Sequence, residues 1–216
     1  MIRLHHLETS RSTRILWLFE ELGLDYELVQ YKRDPKTMRA PPELKEVHPL
    51  GRSPLVGVDG RVLAESGAIL EYFCEREGAL RPTEHLQDFR YWLHYAEGSA
   101  MSPLLLRLVL NKLRSAPMPF FIKPIARGIA DKVDASFVTG ELQAHFGWVE
   151  THLTGRDWFV GDEFSAADIQ MSYPVMASLE RAGLPPRPAT EAWVARITAR
   201  PAWKKALEVG GEPIPR

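Results

Sequence analysis

Pro54-Leu-Val-Gly-Val-Asp-Gly-Arg-Val-Leu-Ala-Glu-Ser-Gly-Ala-Ile69 decides the fold of this chain. Two short apolar runs, 54–58 and 61–64, flank Asp59-Gly60. Asp-Gly between such runs is a strong two-residue hairpin signal, because both central residues tolerate positive φ. A helical pattern then runs over 66–76, with Ile69, Leu70 and Phe73 on one stripe and Gly78 behind it. Upstream, 2–5 and 26–31 are strand candidates on either side of a helix over 11–22. That helix gathers Ile15, Leu16, Leu18, Phe19 and Leu22, and Gly23 follows as its C-cap. Strand, helix and strand in about 30 residues make a βαβ unit, which implies parallel pairing. The order β-α-β, an irregular stretch, then β-β-α predicts a small α/β domain around a mixed four-stranded sheet.

Past Arg81-Pro82-Thr83 the pattern changes. Residues 79–86 read as a linker, and every later periodic segment has helical spacing. A helix is expected from 87 to 99, resuming after Pro103. Another is expected over 125–153, interrupted at Gly128, Gly140 and Gly147. A third covers 166–182, and two shorter ones, 190–199 and 202–209, are divided by Arg200-Pro201. Pro117-Met-Pro-Phe-Phe-Ile122 is a loop or bend between helices. The expected organisation is a mixed domain over 1–80 and an all-helical domain over 87–216.

Composition excludes several classes. The formal net charge of −1 lacks the basic excess of a nucleic-acid binder. Cys74 is the one cysteine, so neither an internal disulfide nor a multi-cysteine metal site can form. No apolar run approaches the ~18 residues of a membrane span. Met-Ile-Arg-Leu-His-His opens the chain without the pattern of a secretory signal. The expected location is the cytoplasm.

Four segments carry candidate chemistry. Thr9-Ser10-Arg11-Ser12 lies between the first strand and the first helix. Its hydroxyls either cap the helix or join the helix N-terminus in an anion site. His48-Pro-Leu-Gly-Arg52-Ser53-Pro54 is, alone, a turn before a strand whose proline is trans by default. Glu65-Ser66 is either a second helix start or a pair of partners for a zwitterion, Ser66 for a carboxylate and Glu65 for an ammonium. Ser165 and Asp168 have capping-box spacing, and here the structural reading prevails.

In this order and at these separations, the four segments resemble the cytosolic glutathione transferase family over essentially the whole chain. The resemblance implies a thioredoxin-like first domain, an all-helical second domain and a homodimer. It implies that Pro54 is cis, that Ser53 presents its backbone to the cysteinyl part of glutathione, and that Glu65 and Ser66 bind the γ-glutamyl head. Arg52 falls where a side chain helps hold the tripeptide, and Arg39 is a candidate for the glycine carboxylate. Ser165 and Asp168 match the family's capping motif. Ser-Arg-Ser before Arg14-Ile-Leu-Trp-Leu-Phe-Glu-Glu-Leu-Gly23 is similar to a serine-type bacterial or fungal branch. The tyrosine of other branches is replaced by His5 and His6, and no cysteine lies near the first helix; Cys74 reads as packing.

The implied chemistry is modest in energy. A thiol with a pKa near ~8.5 is only a few per cent thiolate at neutral pH, and lowering it by about two units needs about 2.7 kcal/mol. One hydroxyl hydrogen bond to the anion supplies ~1.5–3 kcal/mol and the helix N-terminus ~0.3–2 kcal/mol. No metal and no protein nucleophile is required. Ser10 is the first choice for that hydroxyl, Ser12 the second and Thr9 the third. Tyr91, Tyr95, Met101 and the loop at 117–121 are candidates for the pocket of a small hydrophobic electrophile, or for core and dimer contacts. Glu97 reads either as a charge reaching across a dimer to the γ-glutamyl ammonium or as a solvated or interface charge. Two other functions compete: reduction of organic hydroperoxides by the same thiolate, and a non-catalytic binding or regulatory role on the same fold.

Overall fold

The computed structural model describes residues 1–214. Strand β1 (Arg3–Leu7), helix α1 (Thr13–Leu22) and strand β2 (Glu27–Tyr31) form the βαβ unit, with β1 and β2 parallel from Arg3↔Glu27 to Leu7↔Tyr31. A short helix α2 (Leu44–Val47) interrupts the irregular stretch. Strands β3 (Leu55–Val58) and β4 (Arg61–Ala64) make the antiparallel hairpin. Asp59 and Gly60 both have positive φ, 50° and 73°, as a tight two-residue turn of this hand requires. β3 also pairs antiparallel with β1, so the sheet order is β2-β1-β3-β4. Helix α3 (Ser66–Glu77) follows the hairpin.

The rest is helical: α4 (Leu86–Tyr95), α5 (Met101–Ser115), α6 (Lys123–Val133), α7 (Thr139–Leu153), α8 (Ala166–Arg181), α9 (Pro188–Thr198) and α10 (Pro201–Gly210). Two expectations need correction. The predicted gap before Pro103 is instead a π-helical turn, Ala96–Ala100, that carries α4 straight into α5. The wider turn absorbs an extra residue just where proline withholds a backbone donor. Likewise, Gly128, Gly140 and Gly147 do not break the next segment. Its irregularity is another π turn, Asp134–Val138, where buried Asp134 receives Arg114 at 2.7 Å. Residues 117–122 form the bend between α5 and α6.

One continuous apolar core spans both layers, joining Leu16, Trp17, Phe19 and Phe73 to Trp92, Phe146, Ile169, Trp193 and Trp203. α1 packs on α3, α8 and α10. Arg200 closes the α1–α10 contact with a fork on Glu21, at 2.6 and 2.8 Å. At the start of α8, Ser165 and Asp168 form the capping box. Cys74 is buried within this core, and burial pushes its thiol up to about 12, which leaves it inert as a nucleophile.

Candidate functional site

A cavity opens where the start of β3 faces the N-terminus of α3. It is lined by His48, Leu50, Arg52, Ser53, Pro54, Glu65 and Ser66, and also by Arg11 of the loop before α1 and by Glu97 of the π turn after α4. The Ser53–Pro54 peptide bond is cis. Ser53 Oγ donates to the His5 carbonyl at 3.0 Å and accepts the Leu7 N–H at 3.3 Å, which ties the turn to β1. Glu65 sits at φ 69°, a left-handed conformation that costs a non-glycine residue ~1–3 kcal/mol. Its side chain makes no cap bond and stays exposed at the cavity. The N-cap position of α3 thus falls on Glu65 rather than on Ser66, and no side chain caps it.

The hydroxyl loop is organised inward. Ser12 occupies the N-cap position of α1, yet it makes no cap bond. Instead, Ser12 Oγ lies 2.8 Å from His6 Nδ1 and 2.7 Å from Ser10 Oγ. His6 Nε2 is 2.8 Å from the Gly210 carbonyl. A carbonyl only accepts, so that nitrogen carries the proton and Nδ1 accepts from Ser12. Burial lowers the His6 pKa, against the opposing bond to Gly210, which keeps the ring neutral. Position 210 must be glycine for this contact, since a Cβ there would lie 2.9 Å from the ring. With the Ser12 proton committed to His6, the Ser10 hydroxyl is the donor towards Ser12 or towards the Leu7 carbonyl, 2.7 Å away. Thr9, at φ 46°, accepts Arg33 Nε at 3.2 Å on its hydroxyl. None of the three hydroxyl residues lines the cavity itself; Arg11, set between Ser10 and Ser12, does.

Two residues that the sequence reading passed over anchor this corner. Arg14 is fully buried, and its Nη1 donates to Glu97 Oε1 at 2.6 Å, Gln170 Oε1 at 3.1 Å and Ser66 Oγ at 3.2 Å. Arg11 Nε also reaches Glu97 Oε1, at 3.0 Å. The signal for Arg14 was a charge inside the apolar stripe of α1, since a buried cation needs a partner on a facing element. Glu97 thus pairs with arginines of its own chain, where a reach across a dimer had been one reading.

Burial opposes the ionisation of Glu97, yet Arg14 and Arg11 hold it below its ordinary value of 4.5. On unfolding it returns to that value, so the pair stabilises the fold fully above it. The contribution disappears as pH falls through the depressed value. The stability gap between wild type and Glu97→Gln, read from thermal melts across pH, should be widest near neutrality and close in acid. A gap independent of pH would contradict the pairing.

A second, more apolar cavity adjoins the first. Met101, Leu104, Leu105, Leu108, Tyr173 and Ala177 line it, with Arg11, Arg107, Asn111 and Arg181. Of the three predicted pocket residues, only Met101 is brought here. Tyr95 is buried against α7, its hydroxyl 2.8 Å from His145 Nδ1, and Tyr91 lines a surface cavity with Trp92, Trp148 and His152. The reason is register: Tyr91 and Tyr95 share one face of α4, and the π turn rotates the following residues to another. Phe120 and Phe121 are exposed and line neither cavity. Arg39 is exposed on its loop and is not among the lining residues either. His48, which the sequence reading left unassigned, is. No group of histidine, cysteine and acidic side chains suited to a metal ion occurs among the described residues.

Comparison with known proteins bears on this arrangement. Residues 1–75 match the model of the glutathione S-transferase N-terminal domain, and residues 115–201 that of the C-terminal domain. Glutathione S-transferase 1 of Saccharomyces cerevisiae is 38% identical over 222 residues, covering 96% of this chain and 94% of its own length. The crystal structure of a glutathione S-transferase from Actinobacillus pleuropneumoniae superposes with a TM-score of 0.79 at 31% identity, over 97% of this chain and 93% of that one. A sphingomonad glutathione S-transferase, solved in complex with glutathione, shares the fold at a TM-score of 0.74 and 23% identity, over 97% and 98% of the two chains. This chain belongs to the glutathione S-transferase family.

Proposed function

We propose that the protein joins the glutathione thiolate to small hydrophobic electrophiles, with the tripeptide in the polar cavity and the electrophile in the apolar one. The observation that carries this reading is the adjacency of the two. Ser53, cis-Pro54, Glu65 and Ser66 line one cavity, Met101, Leu104 and Tyr173 line the other, and Arg11 is common to both. In this assignment Glu65 takes the γ-glutamyl ammonium and Ser66 the neighbouring carboxylate. The Ser53 backbone pairs with the cysteinyl part, and Arg52 with His48 meets the glycine carboxylate. Arg39 drops out of the set because of its place on the loop.

Ser10 is the hydroxyl assigned to the thiol. Ser12 is committed to His6 and fully buried, and Thr9 is held by Arg33. Ser10 keeps a proton whose alternative acceptors are a carbonyl and a neutral hydroxyl, so turning it to a sulfur anion exchanges a neutral bond for a charge-assisted one.

A homodimer is the proposed assembly, supported by large apolar residues left exposed on the helices, among them Leu106, Val109 and Trp148. The cytoplasm is the proposed location. No helix among the described residues is long and apolar enough to cross a membrane.

Steady-state rates with chlorodinitrobenzene and with an organic hydroperoxide, each with glutathione, test the reading. Saturable conjugation faster than peroxide reduction is expected. Peroxide reduction as the dominant reaction would favour the peroxidase reading, and binding of glutathione without any turnover would favour the non-catalytic one.

A further inference from the structure

We propose that Arg11 is a catalytic residue whose guanidinium meets the glutathione thiolate where the two cavities join. The proposal rests on the functional reading above. The reacting sulfur belongs to the molecule in the polar cavity and must touch the molecule in the apolar one. It therefore sits at their boundary, and Arg11 alone among the described residues lines both.

The guanidinium is built for that position. Its Nε is bound to Glu97 Oε1 at 3.0 Å, while its Nη groups make no hydrogen bond among the described residues. Those donors form a planar fork suited to an anion. Tyr173 lies under the guanidinium carbon, 5.1 Å from ring centre to Cζ, which holds the plane in place. The charge balance points the same way. Glu97 is shared between Arg11 and Arg14, both within ion-pair distance of the same carboxylate oxygen, so one carboxylate faces two cations. The cluster carries one positive charge that no acidic partner within it cancels, and a thiolate supplies the missing negative charge.

The chemistry balances without any further group. The thiol proton leaves to water. The sulfur lone pair then forms the S–C bond to the ring carbon of chlorodinitrobenzene, the C–Cl bond breaks, and chloride departs with its electron pair. Arg11 supplies positive charge and takes no part in the proton transfer. Ser10 contributes a hydrogen bond to the same sulfur and Arg11 contributes charge, so removal of either leaves part of the ionisation.

The test is a titration of glutathione bound to the wild type, Arg11→Gln and Arg11→Lys, followed by the ultraviolet absorbance of the thiolate. Calorimetric binding and kcat for chlorodinitrobenzene are measured alongside. Arg11→Gln should raise the bound thiol pKa by about one unit or more and lower kcat in proportion at neutral pH, with glutathione affinity falling only as far as the lost thiolate ionisation itself requires. Arg11→Lys should recover most of the shift, which a merely structural role would not predict. Should the glutamine variant unfold, Arg11→Met carries the same comparison. An unchanged thiol pKa in Arg11→Gln, or no recovery in Arg11→Lys, overturns the proposal alone. A wild type that binds no glutathione overturns the functional reading, and the proposal with it.

Discussion

Replacing Asp168 with alanine should destabilise the protein by about 3–5 kcal/mol, a large part of the ~5–15 kcal/mol that holds an ordinary domain together. Asp168 is completely buried. Its two oxygens accept the Phe159 N–H, the Trp193 indole N–H and the Ser165 N–H, each at 3.0 Å, and the Ser165 hydroxyl at 3.2 Å. Alanine would leave those donors in an apolar interior with nothing to receive them, at ~1–3 kcal/mol for each orphan. Burial pushes the carboxyl up to about 6 against the pull of its donors, so at neutral pH it is ionised and able to accept all of them. The carboxylate joins the start of α8, the loop before it and α9 at one point. Urea denaturation would show the loss as a lowered midpoint. Asp168→Asn, which keeps one oxygen, should fall between alanine and wild type. A midpoint unchanged in the alanine variant would mean that the bonds to this carboxylate do not hold the helical domain together.

The largest effect on chemistry is expected from Ser10→Ala. Loss of one hydrogen bond to a sulfur anion corresponds to ~1.5–3 kcal/mol, or about a 10- to 150-fold fall in kcat/KM for chlorodinitrobenzene. Glutathione should still bind, because the groups assigned to the tripeptide lie in the cavity and Ser10 does not line it. Ser12→Ala is the informative contrast. It cuts the chain from His6 to Ser10 and should cost folding stability first, with a smaller effect on rate. A Ser10→Ala enzyme with undiminished rate and thiol ionisation would remove this serine from the mechanism.

The contrast between Ser10 and Ser12 shows where the sequence was readable and where it was not. The sheet was legible because its signals are local. Asp59-Gly60 demands one kind of turn, and a stripe ending at Gly23 marks one helix. The polar cavity was legible in part. Glu65-Ser66 marks a helix start, whereas Ser53-Pro54, read locally as a turn with a trans proline, entered only through the family resemblance, and its peptide bond is cis. The apolar cavity was not. Its lining depends on the rotational register of α4 and α5, and a π turn at Ala96–Ala100 resets that register without any local punctuation. That turn brings Met101 to the apolar cavity and leaves Tyr91 and Tyr95, on the preceding helix, outside its lining. The network of Arg14, Glu97, Gln170 and Ser66 was also hidden, because its members are up to 156 residues apart and meet only once α8 lies across α1. The inward-turned loop was hidden for a further reason. Its partner is His6 on the preceding strand, oriented by Gly210 near the other end of the chain.

The central claim is the division of labour between two adjoining cavities that share Arg11. The measurement that tests it most directly is a crystal structure of the protein with glutathione bound. The γ-glutamyl head should lie against Glu65 and Ser66 and the cysteinyl backbone along Ser53. The sulfur should lie within hydrogen-bonding reach of the Ser10 hydroxyl and the Arg11 guanidinium, facing Met101 and Tyr173. A tripeptide bound elsewhere, or a sulfur turned away from both Ser10 and Arg11, would contradict the account.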